Sequence, residues 1–127
     1  MEYLLDTHTL LWYLDGHSAL PQKLALSLDN SSRIVVSIVS LWEITIKSSL
    51  GKIELSFSLE QIRDKVSSDK RFQVLDISFN HLIGLSKLQH HHGDPFDRLL
   101  IAQAMTENLP IVSADRYFHV YPVQVIW

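Results

Sequence analysis

Four acidic residues stand where their side chains could do chemistry together: Asp6, Glu43, Asp97 and Asp115. Each has an ordinary explanation on its own, since Asp6 and Asp115 are of a type common in turns. Carboxylates that cluster repel one another, and their pKa values rise unless a counter-charge is present. A hard divalent cation such as Mg²⁺ supplies that charge, and it completes its shell with water and substrate phosphate. The set therefore indicates a site suited to phosphodiester hydrolysis.

The stretch His92–Ala104 predicts a buried helix with a carboxylate in its first turn. Asp94 followed by Pro95 is typical of a helix cap and first helical residue, although Asp94 is also a candidate fifth ligand. The helix is apolar almost all the way round, and Asp97 heads its apolar stripe. A carboxylate in that position must be neutralised, paired or bound to a metal ion. The alternative is a carboxylate that is simply favoured by the helix N-terminus.

Glu43 falls one or two turns inside a second helix, predicted from Ile38 to about Leu50 with Ser37 as its cap. Its helical neighbours are mostly apolar, which again places a carboxylate on a face that should be buried. Two ordinary interpretations stand beside this one. One is a capping box with Ser40, and the other is a pair with Lys47 four residues on, worth about 0.2–0.5 kcal/mol.

Short apolar runs alternate with helical segments along the chain. The predicted strands are Tyr3–Leu5, Arg33–Val36, Phe72–Ile77, Pro110–Ser113 and Val123–Ile126, and the further helices are Thr9–Leu14, Pro21–Leu28, Leu59–Val66, Asn80–Leu88 and Pro95 to about Asn108. This alternation predicts an α/β fold, a three-layer α/β/α sandwich with a mostly parallel central sheet. In such sheets, sites form at the carboxyl ends of the strands, where the four acids are expected to meet.

Composition sets further bounds. With 127 residues, the chain is expected to form one domain spanning residues 1–127. It has no cysteine, no basic leader and no apolar run long enough for a membrane span, so we expect a cytoplasmic protein. The net charge of −3 does not favour a surface that clings to nucleic acid throughout.

Several polar residues near the acids have two interpretations. Thr7 and Ser113 could orient carboxylates or serve local turns. Lys47, Arg98 and Arg116 each neighbour an acid and could meet phosphate oxygens, although surface pairing is at least as good an interpretation.

The remaining candidates are rings. The run His90–His92 is better interpreted as a solvated loop than as a metal site, because neighbouring loop residues rarely point at one ion. Trp12 and Trp42 could contact bases or a protein partner, but core or dimer packing is the preferred interpretation.

Four motifs occur in order across essentially the whole chain: Leu5-Asp6-Thr7-His8, Ser40-Leu41-Trp42-Glu43-Ile44, His92–Ala104 and Ser113-Ala114-Asp115. Together they resemble a PIN domain, in particular the VapC-type ribonuclease toxins of toxin–antitoxin pairs. The resemblance implies that the four acids hold Mg²⁺ or Mn²⁺ over an RNA phosphate, with Asp6 and Asp97 as principal ligands. It also implies a homodimer and a small antitoxin protein that blocks the site.

Other functions remain open at this stage. The resemblance alone leaves undecided whether Glu43 or a metal-bound hydroxide accepts the proton. The alternative function is a catalytically silent PIN-fold module that binds protein, against which the presence of all four acids argues. A phosphohydrolase of similar topology is disfavoured, because Asp6 lacks an acidic partner two residues on.

Overall fold

A computed structural model describes all residues from Met1 to Trp127. In chain order the elements are β1 (Glu2–Leu5), α1 (Thr7–Asp15), α2 (Gln22–Asp29), β2 (Arg33–Ser37), α3 (Ile38–Ser49), α4 (Leu59–Ser68), β3 (Phe72–Leu75), α5 (Phe79–Ser86), α6 (Pro95–Glu107), β4 (Ile111–Val112), a 3₁₀ helix (Arg116–Val120) and β5 (Val125–Ile126). None of the helices combines the length and the apolar composition that a membrane span requires.

The five strands form one sheet in the order β3-β2-β1-β4-β5, and every pairing is parallel. The central strand β1 aligns Leu5 with Val36 of β2 on one side and with Val112 of β4 on the other. The carboxyl ends of these three strands therefore meet at one edge. The predicted α/β class with a parallel sheet is confirmed.

Apolar side chains pack on both faces of the sheet. Leu4 of β1 joins a cluster that includes Leu100 and Ile101 of α6, whereas its neighbour Leu5 joins a second cluster with Leu10 of α1 and Leu28 of α2. Alternate residues of a strand point to opposite faces, so β1 supplies both cores. The result is the expected sandwich of helices, sheet and helices.

Three strands are shorter than the sequence predicts, and one helix was not predicted. β3 ends at Leu75, which pairs with the last residue of β2, and the carbonyl of Asp76 accepts a hydrogen bond from Gln103 Nε2 (3.3 Å). β4 and β5 have only two residues each. The 3₁₀ helix between them is capped by Asp115, whose side chain accepts a hydrogen bond from the Tyr117 backbone N–H (2.9 Å).

The start of α6 follows the sequence prediction closely. The Asp94 carboxylate accepts hydrogen bonds from the backbone N–H groups of Phe96 (2.9 Å) and Asp97 (3.0 Å), and Pro95 takes the first helical position. The predicted cap is confirmed. Asp97 is thus fixed in the first turn of the most buried helix of the protein, with its backbone tied to Asp94.

The structure shows which of two serines, Ser37 or Ser40, caps the start of α3. Ser37 Oγ accepts from the Val39 backbone N–H (3.0 Å) and donates to Gln103 Oε1 of α6, so Ser37 is the cap, as predicted. The hydroxyl of Ser40 is buried without a hydrogen-bond partner. The capping-box interpretation of Ser40 and Glu43 is therefore wrong, and Glu43 lies well inside the helix.

These two serines give a matched test of how α3 is fixed. Ser37→Ala removes the cap and leaves the buried Oε1 of Gln103 without its hydrogen-bond donor, so the free energy of unfolding is expected to fall by about 1–3 kcal/mol. Ser40→Ala removes a hydroxyl that has no partner and is expected to be neutral or stabilising. Urea denaturation of both variants measures this, and a larger loss in Ser40→Ala would contradict the cap assignment.

Candidate active site

An open cleft of about 380 Å³ lies at the edge of the sheet where β1, β2 and β4 end. It contains all four acids that the sequence singled out, together with Asp94. The lining residues are Asp6, Thr7, His8, Trp12, Glu43, Lys47, Asp94, Asp97, Ala114 and Asp115. The structure thus brings the predicted acids together, while their roles in chemistry stay a prediction.

Asp6 enters the cleft directly from the end of β1. It is buried, and it caps α1 by accepting a hydrogen bond from the Thr9 backbone N–H (2.8 Å). Burial raises its pKa, while hydrogen bonds from Ser113 and Thr9 oppose that rise. Asp6 therefore combines a local structural task with a side chain that faces the other acids.

Glu43 is buried on α3, and both of its carboxylate oxygens have partners. Thr7 Oγ1 donates to Oε1 (2.5 Å) and Lys47 Nζ donates to Oε2 (2.5 Å). The hydrogen bond to Glu43 is the main cause of a raised pKa at Lys47, to which Asp94 and Asp97 also contribute. The interpretation of Lys47 as the i,i+4 partner of Glu43 is confirmed. Lys47 is also the one lysine that lines the cleft.

The Asp97 carboxylate lies in an environment that disfavours its charge. Its side chain is only 19% exposed, and its pKa is raised to about 8. Burial is the main cause, followed by the charges of Asp94, Asp115, Glu43 and Asp6 in that order. A carboxylate in this environment favours a bound proton or a nearby cation over bare ionisation.

Asp94 and Asp115 are partly exposed at the rim of the cleft. Each carboxylate also caps a helix: Asp94 caps α6, and Asp115 caps the 3₁₀ helix. The choice between helix cap and cleft acid is therefore not exclusive for Asp94, because a carboxylate that caps a backbone still adds negative charge to the cleft.

The donor chemistry of the cleft fits a hard divalent cation. Five carboxylates line the cleft, and the chain has no cysteine that could offer a thiol. No three carboxylate or histidine side chains are arranged to ligate one ion directly. That is compatible with Mg²⁺, which commonly takes one or two carboxylates and fills its remaining positions with water and phosphate.

The position of Arg98 fits neither of the two interpretations from the sequence, contact with phosphate oxygens or pairing at the surface. Its guanidinium is buried and donates to the carbonyls of Gln89 (2.8 Å) and Leu88 (3.2 Å) and to the Tyr121 hydroxyl (3.3 Å). It neither lines the cleft nor pairs at the surface. The signal for this was its position inside a helix that is apolar all round.

The histidine run is also only partly as predicted. His90 and His91 are exposed, but the His92 side chain is only 11% exposed and lies beside Asp97. His92 is thus a residue near the site that sequence reasoning missed, because nothing in a run of three histidines shows which one turns inwards.

The two tryptophans differ. Trp12 lines the cleft next to His8, with ring centroids 5.7 Å apart. Trp42 is 50% exposed and packs edge-on against Phe96 at 4.9 Å. Trp42 is therefore not a core residue, because its ring lies at the surface between α3 and α6, and packing in a dimer stays a prediction.

The topology and the acidic cleft define a parallel α/β domain with a candidate cation site at the carboxyl ends of its strands. The PIN domain family model matches residues 3–123, and the chain belongs to that family. PIN domains are generally nucleases and typically use divalent metal ions. No curated protein matches the sequence significantly.

Solved structures with the same fold include three assemblies. VapBC2 from Rickettsia felis, bound to a DNA fragment from their promoter, is 21% identical over 99% of this chain and 98% of that chain, with a TM-score of 0.71. DNA-bound VapBC from Salmonella typhimurium is 20% identical over 99% and 97%, with a TM-score of 0.73. A toxin–antitoxin complex from Klebsiella pneumoniae is 16% identical over 98% and 96%, with a TM-score of 0.66.

The electrostatic cost at Asp97 predicts a pH-dependent gain from Asp97→Asn in the metal-free protein. The raised pKa means that the folded state keeps a proton that the unfolded chain loses near pH 4, so the free energy of unfolding falls steadily as the pH rises from 4 to about 8. The asparagine variant is expected to match wild type near pH 4 and to exceed it by at least about 1 kcal/mol above pH 8.

Urea denaturation in the presence of a chelator, at pH 4.5 and pH 8.5, measures this difference. Asp64→Asn is the control, because Asp64 is 72% exposed on α4, away from the cleft. If Asp97→Asn were less stable than wild type at the higher pH, Asp97 would be a structural residue of α6 and not a strained acid.

Proposed function

We propose that this protein is a metal-dependent endoribonuclease and the toxin of a toxin–antitoxin pair, acting in the cytoplasm with Mg²⁺ or Mn²⁺. The observation that carries the proposal is the gathering of Asp6, Glu43, Asp97 and Asp115 in one cleft at the edge of the sheet. Membership of the PIN domain family supports the nuclease class. RNA as the substrate rests on the resemblance to VapC-type toxins in the four motifs.

Asp6 and Asp97 are proposed as the principal metal ligands, with Glu43 and Asp115 completing the acidic shell. When bound, the cation would polarise the phosphodiester and activate water for attack on phosphorus. Thr7 and Lys47 hold the two oxygens of Glu43, which fixes that carboxylate at the wall of the cleft. Lys47 adds a positive charge at the point where an anionic substrate must approach.

Charge explains why substrate binding and metal binding would be coupled. A phosphate chain entering this cleft meets five carboxylates and a single lysine, so it would be repelled from the empty site. A divalent cation reverses that local charge without any need for a basic protein surface. The net charge of −3 is therefore compatible with a nucleic-acid substrate.

A cognate antitoxin is the proposed protein partner. The support is the fold similarity to VapBC assemblies and to a toxin–antitoxin complex, each of which pairs two kinds of chain. A second copy of this chain is the other proposed partner. α5 exposes Phe79 (82%), Leu82 and Ile83, an apolar face that a homodimer would cover.

Metal binding and cleavage are tested together on the wild type and on cleft variants. At a Mn²⁺ concentration one hundred times its Kd, the metal is expected to stabilise the wild-type protein by about 2.7 kcal/mol, seen as a rise in Tm. Asp6→Asn and Asp97→Asn are expected to lose this rise and to reduce divalent-dependent RNA cleavage to background, whereas Asp64→Asn keeps both.

The outcomes separate the two functions. If the wild type shows neither a metal-dependent rise in Tm nor RNA cleavage, but still binds a cognate antitoxin, the protein is a catalytically silent binding module. Cleavage that persists in Asp97→Asn would show that the acidic cleft is not the active site.

The dimer has its own test at the first residue of α5. Phe79→Glu places a charge in the exposed apolar face and is expected to shift the molar mass measured by light scattering from dimer to monomer. The helix should not suffer, because an acidic residue is favourable in the first turn. Leu26→Glu, at an exposed position on α2, is the control and should remain dimeric. A wild type that is monomeric at all concentrations would contradict the proposal.

A further inference from the structure

The ring of His92 is held firmly beside the cleft. It stacks on Tyr117 with the ring centroids 5.3 Å apart and the planes 4° from parallel. Its Nδ1 atom lies 2.7 Å from the Tyr121 hydroxyl. Two contacts of different kinds thus fix both the plane and the direction of a side chain that belongs to an otherwise exposed loop.

The hydrogen bonds around Tyr121 determine which nitrogen of His92 carries the proton. Arg98 Nη1 can only donate, and it donates to the Tyr121 oxygen (3.3 Å). If His92 Nδ1 also donated there, the buried Tyr121 O–H would have no acceptor. The arrangement that satisfies every group has Tyr121 donating to His92 Nδ1, which leaves the proton on Nε2.

Two unpartnered groups then face each other. His92 Nε2 is buried and makes no hydrogen bond, and it lies 3.5 Å from Asp97 Oδ2. Asp97 is the only one of the five cleft acids whose carboxylate accepts no hydrogen bond in this structure. A movement of about half an ångström would bring the pair to an ordinary hydrogen-bond distance.

We propose that His92 is a positioning residue for Asp97, donating from Nε2–H to Oδ2 and so fixing the orientation in which that carboxylate meets a divalent cation. The inference rests on the proposed function, since it assigns a supporting residue to the same metal site. The donors run in one direction, from Arg98 through Tyr121 and His92 to Asp97. The buried Arg98, whose position the sequence did not predict, is the fixed end of this chain.

A structural role alone would have different consequences. If His92 only packed against Tyr117, its loss would alter the stability of the loop but not the affinity of the cleft for metal. A carboxylate held by a donor loses less freedom when it binds an ion, and hydrogen-bond partners of metal ligands commonly contribute about 10- to 100-fold to metal affinity. Metal affinity is therefore the property that separates the two roles.

The test measures the Kd of Mn²⁺ from the electron paramagnetic resonance signal of the free ion, without RNA. His92→Leu is expected to weaken Mn²⁺ binding about 10-fold or more, and Tyr121→Phe to weaken it in the same direction. His92→Gln, whose amide N–H₂ can reach the place of Nε2, is expected to recover most of the loss. His90→Leu is the matched control, because His90 is an exposed neighbour in the same loop.

A second measurement needs neither metal nor a variant. Long-range ¹H–¹⁵N spectra of the metal-free wild type are expected to show His92 with its proton on Nε2 and a bare Nδ1. Protonation on Nδ1 in the neutral ring would overturn the proposal, as would equal Mn²⁺ affinity in wild type and His92→Leu. A wild type that binds no Mn²⁺ would overturn the proposed function as well, and that failure is recognised before any variant is made.

Discussion

Repulsion among carboxylates in a partly buried cleft constrains this end of the molecule. Five acids line a cleft of about 380 Å³, and they differ in the hydrogen-bond donors that stabilise their charges. Asp6, Asp94 and Asp115 accept hydrogen bonds from backbone N–H groups at helix starts. Glu43 accepts hydrogen bonds from a threonine hydroxyl and a lysine ammonium. Asp97 has neither, and the cost appears as a pKa raised to about 8. The divalent cation proposed above would relieve that cost.

The parallel sheet explains why such a cluster exists at all. Parallel strands place all their carboxyl ends, and the starts of the following helices, at the same edge. β1 delivers Asp6 and starts α1, β2 leads through Ser37 into α3 with Glu43, and β4 leads to Asp115. Helix starts carry unpaired N–H groups and a partial positive charge, which favour nearby acids. The topology that gathers the carboxylates therefore also supplies part of what stabilises them.

Much of this could be predicted from sequence because the relevant signals are local. Ser37 and Asp94 cap helices as their types and positions indicate, and the apolar runs locate all five strands. Distant partners are what the sequence leaves out. The position of the Arg98 guanidinium depends on its hydrogen bonds to carbonyls of the preceding loop and to Tyr121. The buried position of His92 depends on its contacts with Tyr117 and Tyr121. The hydrogen bond from Gln103 to the Asp76 carbonyl just beyond β3 likewise joins residues that are distant in sequence.

The central claim, that a divalent cation resolves the repulsion among these acids, is tested most directly by anomalous diffraction from crystals grown with Mn²⁺. The expected result is an anomalous peak inside the cleft, within coordination distance of at least one oxygen of Asp6 or Asp97. An empty cleft at saturating Mn²⁺, or a peak found only at the exposed histidines of the neighbouring loop, would contradict it.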